Sequence, residues 1–374
     1  MSSISVNTIT DANGGATTSI NGFTPSVSNM AGRNRIINGD MRIDQRNAGA
    51  SVATSADFGA YTIDRFYARH VTDGALTFQQ VTDAPLGFVN SLKITVTTAD
   101  SSISSTQRAW VAQFIEGLNV SDLAWGTANA KNVVLSFWVK ASVTGTFCCS
   151  VVNSANNRAY PVNYTINLAN TWEQKTVTVA GDTSGTWLTT NGIGFRVYFP
   201  VTAGTYFQGT NATWNSSEAL CTSEQTNLMA TSGATFYITG VQLEEGSVAT
   251  PFEHRQYGQE LALCQRYYVR RYGYSHATAA VISPFMIAYN TTAMQGSAIL
   301  PVEMRASPTL NKSGTFVAED GVNAFTTTGS FNGQQATTYG ANFWLGGFTG
   351  LTQYRGYYTG MSGTSNWFDF SAEL

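Results

Sequence analysis

Between residues 36 and 252 the chain repeats one pattern: short runs in which apolar and polar residues alternate, separated by clusters of Gly, Asn, Asp, Ser and Thr. Clear runs are SLKITVTT (91–98), NVVLSFWVKAS (132–142), GTFCCSVVN (145–153), WEQKTVTVAG (172–181), GIGFRVYFPV (192–201) and ATFYITGVQLEEG (234–246). A period of two with β-branched and aromatic residues predicts strands, because alternate side chains of a strand face opposite sides of the sheet. No helical period lies between the runs, so a doubly wound α/β fold is excluded and a β-sandwich or barrel is expected. Adjacent Cys148 and Cys149 should then face opposite ways, with at most one of them in the core. Among strand aromatics, Phe137, Trp138 and Trp172 are read as core.

Three segments break the pattern. Residues 202–233 form a long polar insertion between two strands, and loops of that length tend to be functional or mobile. Residues 255–270 place Tyr257, Leu261, Cys264 and Tyr268 at spacings of four, three and four, which predicts one apolar stripe on a short helix. So short a helix is marginal alone and must pack against something, either its own domain or further copies of the chain. Residues 1–35 are turn-rich with little apolar content and cannot form a core, so they read as an extended attachment or strand-exchange arm. After Gly273 the β pattern resumes through TAAVISPFMIAYN (278–290), SAILPVEMRASPTL (297–310) and the closing NWFDFSAEL. The expected organisation is an arm (1–35), a β-domain (36–252), a helical connector (253–273) and a smaller C-terminal β-sandwich (274–374) that serves as a receptor-binding tip.

Composition narrows the function. Charged residues make up 11% of the 374, and 20 Lys and Arg nearly balance 23 Asp and Glu. Nucleic-acid binding needs concentrated positive charge, and Arg266, Arg270 and Arg271 are too small a cluster to supply it. With Arg255, Glu253 and Glu260 these arginines are expected to form structural ion pairs. The opening MSSISVNTITDANGG has no basic stretch followed by an apolar one, so a secretion signal is not expected, and no apolar run is long enough to insert in a membrane. Four cysteines (Cys148, Cys149, Cys221 and Cys264) show no metal-binding spacing and are expected as free thiols of a chain made in a reducing cytoplasm.

No nucleophile elbow, zinc-protease helix or phosphate loop occurs, and His70, His254 and His276 fall in different regions. Hydrolysis of a glycan could still proceed with two carboxylates; Glu244 and Glu245 are adjacent and face opposite ways, while Asp57 and Asp64 could converge from separate loop positions. Non-catalytic glycan binding has more to draw on, since sugars stack on aromatic rings beside amide and hydroxyl groups. Tyr206, Phe207 and Trp214 in the insertion, and Tyr354, Tyr357 and Tyr358 near the C-terminus, are the candidates, with packing as the competing role for each.

Several blocks resemble a known class. NRIINGDMRIDQRNAG (34–49), YTIDRFY (61–67), PVEMRASPTL and above all GVQLEEGSVATPFEHRQYGQELALCQRYY (240–268) resemble tail-fibre and other virion-appendage proteins of tailed bacteriophages. NGDM (38–41), Trp172 with KTVTV, and YITGVQLEE (237–245) are also similar to the jelly-roll carbohydrate-binding modules of bacterial glycosidases. That second resemblance implies a jelly roll and a structural calcium on its opening and closing strands. Here Arg42 follows the opening motif and Thr239 and Gly240 stand at the closing acidic positions, which leaves Asp40 and Glu244 as remnants of such a site.

Together the resemblances imply a mainly β protein: a jelly-roll sandwich, a short helix, and a second smaller sandwich. They imply a homotrimeric tail fibre or related appendage, clustered through the helix stripe, held to other virion proteins by its arm and binding a glycan of the host surface. The competing expectations are a capsid decoration or head fibre, a glycan-degrading tailspike, and a free carbohydrate-binding module.

Overall fold

The computed structural model describes residues 32–272, 286–361 and 366–374. The expected strand at 278–285, His276 and residues 1–31 of the predicted arm lie outside these residues. The chain divides into two compact units, the first ending at Arg255 and the second beginning at Gln256.

The first unit is a jelly-roll sandwich. Its strands are β1 (Val52–Ala53), β2 (Phe58–Ile63), β3 (Phe66–Val71), β4 (Ala75–Val81), β5 (Ser91–Thr98), β6 (Arg108–Glu116), β7 (Val133–Ala141), β8 (Gly145–Val152), β9 (Ala159–Ile166), β10 (Glu173–Val179), β11 (Ile193–Ala203) and β12 (Thr235–Glu245). One antiparallel sheet runs β1-β4-β5-β12-β7-β10 and the other β2-β3-β6-β11-β8-β9. Their inner faces meet through Phe78, Ile94, Phe137, Val139, Phe147, Val197, Phe199 and Phe236, all fully buried or within 1% of it. Removal of each such side chain from water contributes on the order of 2 kcal/mol.

The two sheets differ on their outer faces. Residues 204–222 of the insertion lie over the second sheet: Asn215 and Ala159 exchange backbone hydrogen bonds at 2.8 and 3.1 Å, and Ser150 Oγ donates to the Ala219 carbonyl at 2.7 Å. Ala219, Leu220 and Cys221 are fully buried. The polar look of the insertion therefore misleads, since its few apolar residues are the ones that face the sheet. Both Cys148 and Cys149 are buried, against the expectation that only one would be: the insertion roofs the face that Cys148 occupies, and Cys148 Sγ lies 3.4 Å from the Thr222 backbone nitrogen, which donates to it. All four cysteines are free thiols.

A clasp joins residues 32–43 to 241–255. Arg35 N–H donates to the Leu243 carbonyl at 2.8 Å and Val241 N–H to Gly39 at 2.9 Å. Asn34 bridges the two segments, donating through Nδ2 to Val241 at 3.1 Å and accepting from Leu243 N–H at 3.1 Å. The Glu253 carboxylate accepts from the backbone N–H groups of Gly32 and Asn34 at 2.6 and 2.8 Å. Arg255 donates to the carbonyls of Ile36, at 3.0 Å, and Asn34, while Arg42 returns a bond to the Arg255 carbonyl at 2.9 Å. Next to this, buried Asn38 donates to the Asp64 carbonyl at 3.0 Å and Asp64 accepts from Gln45 N–H at 2.8 Å. Residues 32–35, assigned to the arm by sequence, are therefore integral to the first unit.

The second unit opens with helix α1 (Tyr257–Gln265) and continues as β13 (Tyr268–Tyr272), β14 (Met286–Ala288), β15 (Ala293–Ile299), β16 (Thr309–Ser313), β17 (Phe316–Glu319), β18 (Ala324–Thr327), β19 (Phe331–Thr337), β20 (Gly340–Gly346), β21 (Gly356–Met361) and β22 (Trp367–Ser371). A three-stranded sheet β13-β22-β16 and a seven-stranded sheet β18-β17-β21-β14-β15-β20-β19 enclose a core that includes Phe316, Phe343, Tyr357 and Phe368. The helix is shorter than its apolar spacing predicted. YYVRRY has strong β propensity and pairs with β22, so Tyr268 stands on a strand rather than completing the stripe. Of the stripe residues on the helix itself, Cys264 is buried, Leu261 half-buried and Tyr257 57% exposed. Asp369 on β22 is buried and satisfied there, since Tyr268 Oη (2.6 Å), Arg270 Nη2 (3.0 Å) and Asn311 Nδ2 (3.0 Å) all donate to it.

Removal of Arg255 leaves two carbonyls and the Glu253 carboxylate of the clasp without its charge. Arg255→Ala is expected to destabilise the first unit by about 3 kcal/mol, read by denaturant unfolding, with Arg255→Lys recovering only part of the loss because an ammonium cannot span the same acceptors.

Candidate functional site

On the outer face of the first sheet, β7 and β10 with the segments around Phe88 and 249–254 present a groove of about 590 Å3. Trp138 on β7 and Gln174 and Thr176 on β10 form its floor, with Gln174 directly paired to Trp138 across the two strands and Thr176 two positions along. Phe88, Thr250, Pro251, Phe252 and His254 form its walls. Phe88, Phe252 and His254 make a three-ring cluster with centroids 4.9 to 5.4 Å apart. Gly240 is required beneath it: its φ is +61°, and a Cβ there would stand 2.7 Å from Phe88 Cζ and 3.0 Å from Trp138 Cδ1. Gly240, Thr250, Phe252 and His254 all come from the 240–268 block, so the segment that forms the clasp also builds a wall of the groove.

Next to the groove, two positions further along β7 and β12 where Lys140 pairs with Tyr237, lies a row of alternating cations and rings. Lys93 and Lys140 sit 5.5 and 4.4 Å from the centre of the Tyr237 ring, and Lys140 is 5.2 Å from that of Trp172. Asp83 ties the row together, accepting from Lys140 Nζ at 2.5 Å and Trp172 Nε1 at 3.2 Å. The Lys140 hydrogen bond, helped by that from Trp172, outweighs partial burial and holds Asp83 below the usual carboxylate range. Trp138 and Trp172, read as core from sequence, are thus on the outer face. Phe137 alone of the three is buried, since neighbours on a strand cannot share a face.

The six aromatics singled out by sequence scatter. Phe207 and Tyr357 are core, 3% and 1% exposed. Trp214 is half-buried in a ring cluster with Trp125, Trp187 and Tyr160 at 5.0 to 5.6 Å, with Nε1 donating to the Ala180 carbonyl at 3.1 Å. Arg158 lies 5.5 Å from the Trp214 ring centre and forms a two-point pair with Asp182 at 2.7 and 2.7 Å. Tyr206, Tyr354 and Tyr358 are exposed, Tyr206 in the first unit and the other two in the second.

Neither remnant of the implied calcium site suits a cation. Asp40 pairs with Arg42. The Glu244 carboxylate accepts from Thr250 N–H and Oγ1 at 2.8 and 2.7 Å and from Gln242 Nε2 at 3.0 Å. Among the described residues no group of three or more His, Cys, Asp or Glu is placed to hold a metal ion. Asp57 and Asp64 do not converge either: Asp57 is exposed and pairs with Arg69 at 2.5 Å, whereas Asp64 is buried in the clasp. Among the described residues no helix is long and apolar enough to cross a membrane.

No family model matches the chain, and no curated protein matches it in sequence. Solved structures do. The enzymatically active domain of tailspike protein 4 from bacteriophage CBA120 aligns at 14% identity and a TM-score of 0.31, covering 57% of this chain and 21% of that one. This chain therefore spans about a fifth of the tailspike chain it matches. The CBM22-1 xylan-binding domain of Paenibacillus barcinonensis Xyn10C aligns at 11% identity and a TM-score of 0.27, covering 55% and 99%. A family 11 carbohydrate-binding module of Clostridium thermocellum, in complex with a mixed-linked tetrasaccharide, gives 11%, 0.27, 55% and 98%. At such scores these likenesses carry no argument about ligand or activity, and the jelly-roll assignment rests on the strand order of this chain.

Trp214→Ala is expected to lower the stability of the first unit by about 2 kcal/mol, as removal of a packed ring does, which equilibrium denaturation would register. Asp182 gives a pH test. Burial alone would raise its pKa, but the Arg158 guanidinium, the Ser184 N–H and the Trp187 indole outweigh burial and lower it. Its contribution is therefore fully present above the ordinary aspartate range of about 3.9 and is lost as pH falls through the lowered folded value. Thermal unfolding of the wild type should show added acid sensitivity below about pH 4, and Asp182→Asn should be less stable at neutral pH with that part of the sensitivity gone.

Proposed function

We propose that the chain is a non-catalytic glycan-binding adhesin of a tailed-bacteriophage virion, carried as a tail fibre or related appendage. The observation that carries the binding part is the groove on the outer face of the first sheet. Trp138 and Phe88 offer ring faces to the C–H face of a pyranose, while Gln174 and Thr176 offer an amide and a hydroxyl to its ring substituents. A site of this kind holds a sugar by stacking and by a few directed hydrogen bonds. No Asp or Glu lines the groove. Glycoside hydrolysis needs a pair of carboxylates about the scissile bond, so the groove is suited to holding a glycan rather than cleaving it.

The virion part is supported by the resemblance at 34–49, 61–67 and 240–268. On that reading the chain acts as a homotrimer fixed to other virion proteins by residues 1–31, and several weak sites on one particle add up through effective concentration. A capsid decoration or head fibre would use the same domains, and immuno-electron microscopy of intact particles separates the two locations.

On arrays of host-surface glycans, Trp138→Ala and Phe88→Ala are expected to reduce binding at least tenfold while unfolding as the wild type does, and Tyr206→Ala is expected to bind unchanged. Undiminished binding by both groove variants would move the site elsewhere. Reducing ends released from host polysaccharide by the pure protein would reverse the non-catalytic assignment.

A further inference from the structure

The second unit carries a groove of its own, of about 290 Å3, between the turn that joins β14 to β15 and the loop before β21. Its two rims are tyrosines, Tyr289 at 56% and Tyr354 at 77% exposure, and Ile287, Gln295 and Ser297 lie between them. Among the described residues no charged side chain lines it.

The backbone holds both rings in place. Tyr289 N–H donates to the Ala293 carbonyl at 2.8 Å, and the Tyr289 carbonyl accepts from Gln353 Nε2 at 3.1 Å. Tyr354 N–H donates to the Ala288 carbonyl at 2.8 Å, and Ala288 N–H to the Arg355 carbonyl at 2.9 Å. At Tyr354 this ladder requires φ of +62°, a left-handed conformation that an aromatic residue adopts at an energetic cost and that Gly or Asn adopts readily. A residue that is strained and also mostly exposed gives the fold little, because its ring packs on little of the protein. Such a choice has a reason when the ring meets something outside the chain.

We propose that this groove is a second saccharide site, independent of the one on the first unit, which takes an uncharged sugar unit between the rings of Tyr289 and Tyr354. The ring faces would stack on the apolar face of the pyranose, and the Gln295 amide and Ser297 hydroxyl, which project from the same face of β15, would bond its hydroxyls. The uncharged lining selects against a carboxylate or sulfate group, whose desolvation would find no cation in return. With one site on each unit, a single chain engages a polymeric glycan at two points.

The test uses the full chain with Tyr354→Gly, Tyr289→Ala and Trp138→Ala, on a printed array of uncharged hexose and N-acetylhexosamine oligosaccharides. Tyr354→Gly relieves the left-handed strain, so its melting temperature should equal or exceed that of the wild type while array binding remaining in the Trp138→Ala background falls at least tenfold. Tyr289→Ala should cause a similar loss. A Tyr354→Gly protein that binds as before, or that melts several degrees lower, would make the tyrosine a packing residue and overturn the proposal. No array binding in the Trp138→Ala background would overturn it as well, while leaving the first-unit groove standing if the wild type binds. Loss of binding in Tyr354→Gly with none in Trp138→Ala would sink the first reading and keep this one.

Discussion

The first unit depends on one interaction, the exchange of hydrogen bonds between its opening segment and its exit segment. Asn34 reads two backbone groups of β12, Glu253 holds the N–H groups of Gly32 and Asn34, and Arg255 caps the carbonyls of Asn34 and Ile36. A sandwich closed in this way has its first and last segments locked side by side. Buried partners of this kind are costly to break singly, because each leaves an unpaired polar group behind. The same exit segment then turns past Gly240 and Phe252 to wall the groove, so whatever fixes the clasp also fixes the spacing of the rings that would meet a sugar.

The two sheets of the first unit differ in what lies over their outer faces. The insertion at 204–222 covers the outer face of β8 and β9 in the second sheet, which is why Cys148 is buried there while Cys149 is buried in the core between the sheets. Among the described residues, the outer face of the first sheet carries half-buried rings beside the exposed side chains of Gln174 and Thr176. An insertion that looked like a binding loop thus acts as a cover, and the strands that looked like plain core carry the platform.

The reach of sequence reasoning can be followed residue by residue. The run at 91–98 coincides with β5 to the residue, and those at 132–142 and 234–246 lie within one residue of β7 and β12 at each end, because a period of two with β-branched residues is a local property of the chain. The helix was visible too, but its end was not: Tyr268 keeps helical spacing with Cys264 yet pairs with Ser371, about a hundred positions away. Trp138 and Phe137 carry the same hydrophobic label, and only pairing with β10 and β12 shows which one faces out. Gly240 was a usable signal, since a glycine inside a strand pattern marks a bulge or a close approach.

By itself the sequence determined the β class, the strand positions and the special status of 240–268, since each of these follows from local periodicity or a contiguous motif. Tertiary structure alone decided which segments lie over each sheet, that Phe207, Trp214 and Tyr357 pack inward, that Asp40 pairs with Arg42 while Glu244 is satisfied by donors of the chain, and that Phe88, Trp138 and Phe252 converge. Those outcomes depend on contacts between segments far apart in the chain, where a polar stretch is buried or exposed according to what the fold lays over it.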